Sequence, residues 1–561
     1  MSMRTARFVL LALGLAIPIA LVVTHPLAGA LGTHVLEDGS YDPFQFIWNI
    51  WWVRESLLDL HTDPFFTRLL FYPTGVPLVF HTFSFPLGLA SVPLQVTLPG
   101  GVVAAHNVLV LAAPALGFVA TALLAREVTD DPVAALAAGF VGAVSPIAVW
   151  FLPVLYLDCT YLVAFTLWAW WRLQRARRIG WIAAVVALAL TLVFASQEYA
   201  MMALALLLLD TVLRAVAANA LGVPRLWWTG SAVVWGVLLV VLGALAHAAL
   251  GAAANPPPPA QLLLGSAFVA GFVVPPWLVP PATSFWTLLY LGTTPLLLLP
   301  IALARGGRRA WLWAAALAAA LMMALGPYLH WQHPLPTLKI PPGGVQPSGP
   351  RGPYALALAV VPLLRWFRAP YRWVAVAQIA LAVLVALATA ALRARAGARR
   401  RAVTALVCAA LVLGAAVDTR GLRAPLVAAD VPPVYDAIRD GAGRGAVLEL
   451  PAGFVKDQFA LYSSLYMFYQ TRHRRPLLDG TVSRTPPGAQ FTWQRTFPDF
   501  GALPYVEWVV VHHDLAATAY PSSREQIAQV EGVLATQGEV VSRNERTTLY
   551  HLRTFRPDAV R

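Results

Sequence analysis

Eleven apolar stretches, each close to the ~20 residues a bilayer-crossing helix needs, leave this chain few ways to fold. They lie near 8–28, 104–125, 133–151, 156–172, 180–196, 199–217, 228–250, 284–304, 310–328, 371–392 and 402–418. Inside a bilayer each backbone N–H and C=O must be satisfied within its own segment, so such stretches become helices. Only 12% of the 561 residues are charged, against about 25% in an average soluble domain. Together these features exclude a soluble globular enzyme, a disordered chain and a disulfide-rich secreted module. Cys159 and Cys408, the two cysteines, both sit in apolar segments and read as packing residues. Arg4 and Arg7 precede the apolar run Phe8–Val23. We read this run as an uncleaved first span rather than a signal peptide, because many spans follow it.

The net charge of +13 does not mark a nucleic-acid binder, because the basic residues cluster in short turns between apolar runs. With the N-terminus cytoplasmic, the short inner segments carry 17 Lys/Arg and the much longer outer segments carry 7, Lys339 among them. The C-terminus then lies outside. Residues 83–99, broken by Pro86, Pro93 and Pro99, read as an outer-face re-entrant or interfacial segment. The runs Asn255–Pro259 and 334–353 read as outer loops. Beyond about 430 the charge content rises. Strand-like runs at 445–451, 506–513 and 547–552, with a helical stretch at 522–536, predict a small α/β domain. The expected fold is mainly α: a polytopic helical membrane domain over 1–420 with a long first outer loop at 29–103, then an extracytoplasmic α/β domain over 430–561.

Acidic residues are scarce where the chain is apolar. Six of the 12 acids before residue 418 fall in the first outer loop: Glu37, Asp38, Asp42, Glu55, Asp59 and Asp63. Glu127, Asp130 and Asp131 are cytoplasmic, and only Asp158, Glu198 and Asp210 lie in or beside spans. A charge at the bilayer centre costs about 2.5–3.5 kcal/mol on insertion scales, so those three are retained for a reason. Asp210, four residues before Arg214, reads as half of a helix ion pair. Asp158 and Glu198 lie at outer span ends, on the side of the acid-rich loop. These regions are expected to converge on one outer-leaflet cavity.

Within that loop, residues 42–60 interleave Phe44, Trp48, Trp51 and Trp52 with polar residues. This reads as a helix lying in the membrane interface, its indoles at headgroup depth and Asp42 as its N-cap. The alternative is a solvated acidic loop with an aromatic anchor. On the same side, Arg368 and Arg372 flank Pro370. On one helical face they would clamp a phosphate; the plainer reading is headgroup snorkelling.

These pieces resemble the GT-C superfamily of integral-membrane glycosyltransferases, in particular bacterial members with a C-terminal extracytoplasmic domain. The residues that carry the resemblance run from Asp42 to Trp52, then Tyr72-Pro73-Thr74-Gly75 and His81-Thr82. Ser196-Gln197-Glu198-Tyr199, Arg368-Ala369-Pro370-Tyr371-Arg372, Val447–Pro451 and Asp479–Arg484 continue it. The resemblance implies transfer of a sugar, with inversion, from a polyprenyl-phosphate donor to a lipid, glycan or protein acceptor on the outer face of the plasma (inner) membrane. It implies an outer-loop carboxylate as general base, Asp42 with Asp38 in reserve. It also implies that Asp158, Glu198 and Glu37 position acceptor or metal, and that Arg372 and Arg368 meet the donor phosphate. No Asp-x-Asp or His-rich cluster is present, so dependence on a divalent cation such as Mg or Mn stays open.

The remaining candidates are weaker. His106, His247, His330 and His333 read as packing residues, and His512 and His513 point to opposite faces of a strand, which argues against a shared metal. A lipid or polysaccharide transporter would show repeat symmetry and midplane charges, and neither is evident. A non-catalytic cell-envelope assembly protein is the third reading.

Overall fold

The structure is a computed structural model that describes residues 3–79, 81–176, 178–216, 225–251, 259–279, 284–333, 349–452, 462–483, 498–518 and 521–560. Most of the two Pro-rich loops (255–258 and 334–348), Lys339, Lys456 and Arg484 lie outside these residues.

Helix α1 (Met3–Val23) opens the chain, followed by a short strand β1 (His34–Leu36). Helices α2 (Asp42–Arg54), α3 (Phe85–Thr97), α4 (Gly101–Thr129) and α5 (Pro132–Val144) come next. Then follow α6 (Thr160–Ala176), α7 (Gly180–Ala195), α8 (Gln197–Val216) and α9 (Arg225–Gly251). The apolar part closes with α10 (Thr293–Arg305), α11 (Gly307–Ala324), α12 (Trp373–Arg395) and α13 (Arg400–Asp418). The tail holds β2 (Leu426–Ala428), α14 (Val434–Asp440), β3 (Ala446–Leu450), α15 (Ser463–His473), β4 (Val506–His512), α16 (Pro521–Gln537), β5 (Gly538–Arg543) and β6 (Thr547–Leu552). Seven helices among the described residues are long and apolar enough to cross a membrane. The chain is a multi-pass membrane protein, mainly helical, with a small sheet near its C-terminus. Of the eleven expected spans, the one at 133–151 is broken at Ser145-Pro146, where the backbone turns extended.

Two compact units divide the chain: a helical unit (Met1–Gly29, Leu109–Ala244, Asn255–Ala424) and a loop–tail unit (Ala30–Val108, Leu245–Ala254, Pro425–Arg561).

In the helical unit α12 is the hub. It is apolar on all faces, and every residue from Trp373 to Thr389 is buried, as expected of a helix surrounded by other helices. It packs on α5, α10 and α11. Where α4 meets α5, small residues allow close approach: a methyl on Gly139 would lie 2.8 Å from the Phe118 carbonyl oxygen, and one on Gly142 would collide with Thr121. Asp131 caps α5, its Oδ1 accepting from the Val133 and Ala134 amides at 2.9 and 3.2 Å. Its Oδ2 accepts from Arg393 Nε at 3.0 Å, which ties this cap to the end of α12.

In the loop–tail unit residues 30–108 and the C-terminal region share one core. Trp48, Trp51, Trp52 and Phe44 pack with Phe468, Tyr435 and Val510. The tail sheet runs β3-β4-β6-β5, parallel between β3 and β4 and antiparallel elsewhere. Strand β1 pairs with β2, 392 residues on, through His34 opposite Ala428. The expected strands at 445–451, 506–513 and 547–552 are present, and β5 is an additional one.

The interfacial reading of 42–60 is corrected here. Pro43–Val53 are all buried, and the indoles face protein rather than headgroups. Trp48 Nε1 donates to Gln470 Oε1 at 2.6 Å, the Trp48 and Trp52 rings stack at 5.9 Å, and Phe44 meets Phe468 at 5.2 Å. The segment 83–99 forms α3, which packs on α2. Gly88 abuts Val53, and Gln95 Nε2 donates to the Ile50 carbonyl at 2.8 Å.

Candidate active site residues

In the helical unit, Glu198 and Arg372 are brought together across 174 residues of sequence. Ser196, extended at φ −154°, is the single residue between α7 and α8, so Glu198 falls in the first turn of α8. The helix dipole favours a carboxylate there. Arg372 ends the turn Pro370–Arg372 that leads into α12. Both carboxylate oxygens of Glu198 lie 2.7 Å from Arg372 Nη1, and the two side chains are 12% and 15% exposed. This pairing leaves Arg372 with donors to spare, and its Nε is buried without a hydrogen-bond partner. The turn is positioned by Tyr371, whose N–H donates to the Gly265 carbonyl at 2.9 Å. Gly265 has no room for a Cβ, because the backbone at Arg368 and Ala369 lies against it.

Asp158 is buried in the turn before α6, and its Oδ2 has no hydrogen-bond partner. The neighbouring Leu157 carbonyl accepts from Tyr199 Oη at 2.9 Å, and Tyr156 Oη accepts from the Glu198 N–H at 3.5 Å. These two contacts hold the turn that carries Asp158 on the start of α8. Arg368 does not share a helical face with Arg372. Residues 367–369 are irregular, Ala369 has φ −129° and ψ 73°, and Arg368 is exposed.

In the loop–tail unit, Glu37 is buried and its Oε1 accepts from the Gly39 and Tyr41 amides, each at 2.8 Å. It therefore shapes the loop that delivers α2. Asp38 is exposed and accepts from the Ser40 N–H at 3.1 Å. Asp42 is half-buried, and its N–H donates to Ser40 Oγ at 3.2 Å. The expectation that Asp42 caps α2 is corrected. The cap is Tyr41, in the left-handed region at φ 60°, and Asp42 is the first helical residue, followed by Pro43. In that first turn the dipole still stabilises its carboxylate.

Sequence reasoning assigned no role to three further sets of side chains in this unit. His81 is buried, and desolvation lowers its pKa to about 3, so it is neutral at physiological pH. Its Nδ1 accepts from the Ser483 N–H at 3.2 Å, which leaves the proton on Nε2 to donate to Asn49 Oδ1 at 3.1 Å. His81 thus clamps α2, one turn after Gln45, to the tail. The second set is buried around Glu449, which accepts from Tyr435 Oη at 3.0 Å and contacts His512 Nε2 at 2.9 Å. A signal for it was present: an acid inside the apolar run AVLELP needs a partner if both faces are buried. Glu55, the third, ion-pairs with Arg474 at 3.3 Å and had no local signal.

No three His, Cys, Asp or Glu side chains gather as a metal-ligand set among the described residues. Both oxygens of Glu198 are engaged by Arg372.

No protein-family profile and no curated protein sequence matches the chain. Solved structures do. The oligosaccharyltransferase of Archaeoglobus fulgidus in the apo form aligns with a TM-score of 0.54 at 13% identity, over 98% of this chain and 75% of that one. ArnT from Cupriavidus metallidurans aligns with a TM-score of 0.52 at 13% identity, over 98% of both chains. The mycobacterial arabinofuranosyltransferase AftD aligns with a TM-score of 0.52 at 14% identity, over 99% of this chain and 42% of that one.

Proposed function

We propose that this chain, which has the GT-C glycosyltransferase fold, is a membrane glycosyltransferase that moves a sugar from a polyprenyl-phosphate donor to a lipid, glycan or protein acceptor on the outer face of the membrane. The observation that carries this reading is the fold correspondence with ArnT along the whole of both chains. In this reading the N-terminus and the Arg-rich turns are cytoplasmic, in the plasma (inner) membrane, and residues 430–561 lie outside.

Inverting transfer requires a carboxylate to take the acceptor hydroxyl proton while the anomeric C–O bond to phosphate breaks. We assign that role to Asp42, with Asp38 in reserve; Asp42 is half-buried in the first turn of a rigidly packed helix. The bond's electron pair passes to the departing lipid phosphate, whose charge a guanidinium stabilises. Arg372 is assigned to that phosphate, with the exposed Arg368 as an accessory. Glu198, bonded to Arg372, holds the guanidinium in place, and Asp158 positions the acceptor. Glu37 acts at one remove, through the turn it braces.

The test is transfer in vitro by the full-length protein from a panel of polyprenyl-phosphate sugars. Asp42→Asn is expected to abolish transfer while the protein stays monodisperse. Full activity in that variant would strike Asp42 from the mechanism, and no transfer from any donor would overturn the assignment of function.

A further inference from the structure

A shallow groove of about 50 Å³, open along one side, lies between α6, α8 and α11, within two turns of their basic ends. Trp170 and Trp171 come from α6, Leu207 and Leu213 from α8, and Leu312 and Trp313 from α11. Trp171 and Trp313 stack at 5.9 Å as its aromatic floor.

The walls are fixed by polar bonds that use no group of the proposed reaction. Asp210 accepts from Trp170 Nε1 at 2.7 Å, Gln174 Nε2 at 2.9 Å and Arg214 Nε at 2.9 Å. Arg214 in turn lies over the Trp171 ring at 5.5 Å. The three helix ends share one side of the unit, since Arg175 and Arg309 both reach Asp130, at 3.2 and 3.8 Å. Arg308 is exposed one turn before Leu312, on the same helical face. At this mouth stand five guanidiniums (Arg172, Arg175, Arg214, Arg308 and Arg309) against three carboxylates (Glu127, Asp130 and Asp210). The excess is positive.

An apolar groove floored by indoles, with cations at its open end, matches one kind of molecule in a bilayer. Indoles favour headgroup depth, the leucines accept a hydrocarbon chain, and the unbalanced guanidiniums attract an anionic headgroup. We infer that this groove binds one anionic phospholipid, an acyl chain lying on Trp171 and Trp313 and the phosphate meeting Arg214 and Arg308. The site is separate from sugar transfer and does not depend on that reading.

Native mass spectrometry of the detergent-solubilised full chain, with phosphatidylglycerol or phosphatidylcholine added, tests the inference. One phosphatidylglycerol per chain is expected to survive, and Arg308→Gln combined with Arg214→Gln weakens its binding at least about tenfold. Arg395→Gln, on α12 and outside the groove, leaves binding unchanged. If loss of Arg214 prevents folding, Arg308→Gln alone and Leu312→Trp carry the test; the latter fills the groove and is expected to expel the lipid while the protein stays monodisperse. Equal retention of phosphatidylcholine, or retention of phosphatidylglycerol by Leu312→Trp, would overturn the site.

Discussion

Arg372 and Glu198 face each other with little solvent between them, and this sets how they respond to mutation. Removing one member of such a pair leaves an uncompensated buried charge and costs about 3–5 kcal/mol, whereas replacing both by apolar residues is close to neutral. Arg372→Met is therefore expected to lower the unfolding temperature far more than Arg372→Met combined with Glu198→Met, and neither variant should transfer sugar. A thermal-shift series on the purified protein separates the two effects. Glu55 behaves differently. Burial raises its pKa to about 7, and the nearby Arg474 only partly offsets this. The folded protein therefore holds a proton that the unfolded chain releases near pH 4.5, so stability falls as pH rises through the window from about 4.5 to 7. The difference is of order 3 kcal/mol. Glu55→Gln is expected to flatten that slope and raise the unfolding temperature at pH 8; an unchanged profile would refute the assignment. The acids were readable as a group, because so few exist and each had to justify its place. Their partners were not: nothing local to Glu198 points to Arg372, and nothing before Asp42 betrays the left-handed Tyr41 that takes over its cap.

At the level of elements, apolar length and charge placement identified the long helices, since both follow directly from bilayer thickness and backbone satisfaction. The environment of α2 was misread for a physical reason. Indoles interleaved with polar side chains suit a headgroup layer and a protein core equally well, and the deciding contact, Trp48 with Gln470, spans 422 residues. Strand β5 escaped notice because it follows α16 without a turn residue beyond Gly538. Close helix contact makes its own prediction. Gly142→Val would force the α5 backbone away from Thr121; overpacking of this kind costs about 1–3 kcal/mol. Lower yield of monodisperse protein would register it, while Gly236→Val, where nothing lies within 4 Å of the added carbon, should be tolerated.

Across the whole molecule, the division into units departs from the order of the sequence. Residues 30–108 and 425–561 form one body with a common core. Deleting 430–561 would strip Phe44, Trp48, Trp51 and Trp52 of their packing. The truncated chain is expected to lose transfer and to expose 30–108 to limited proteolysis, whereas a freely tethered accessory tail could be removed without either effect.

That shared core also constrains how the protein is made. At about 5–20 residues per second, the ribosome reaches the partner of the first loop only some 15–60 s after the loop itself, because more than 300 residues separate them. Until then Phe44, Trp48, Trp51 and Trp52 wait without their final neighbours. A nascent or prematurely terminated chain therefore cannot complete the core beneath the helix headed by Asp42.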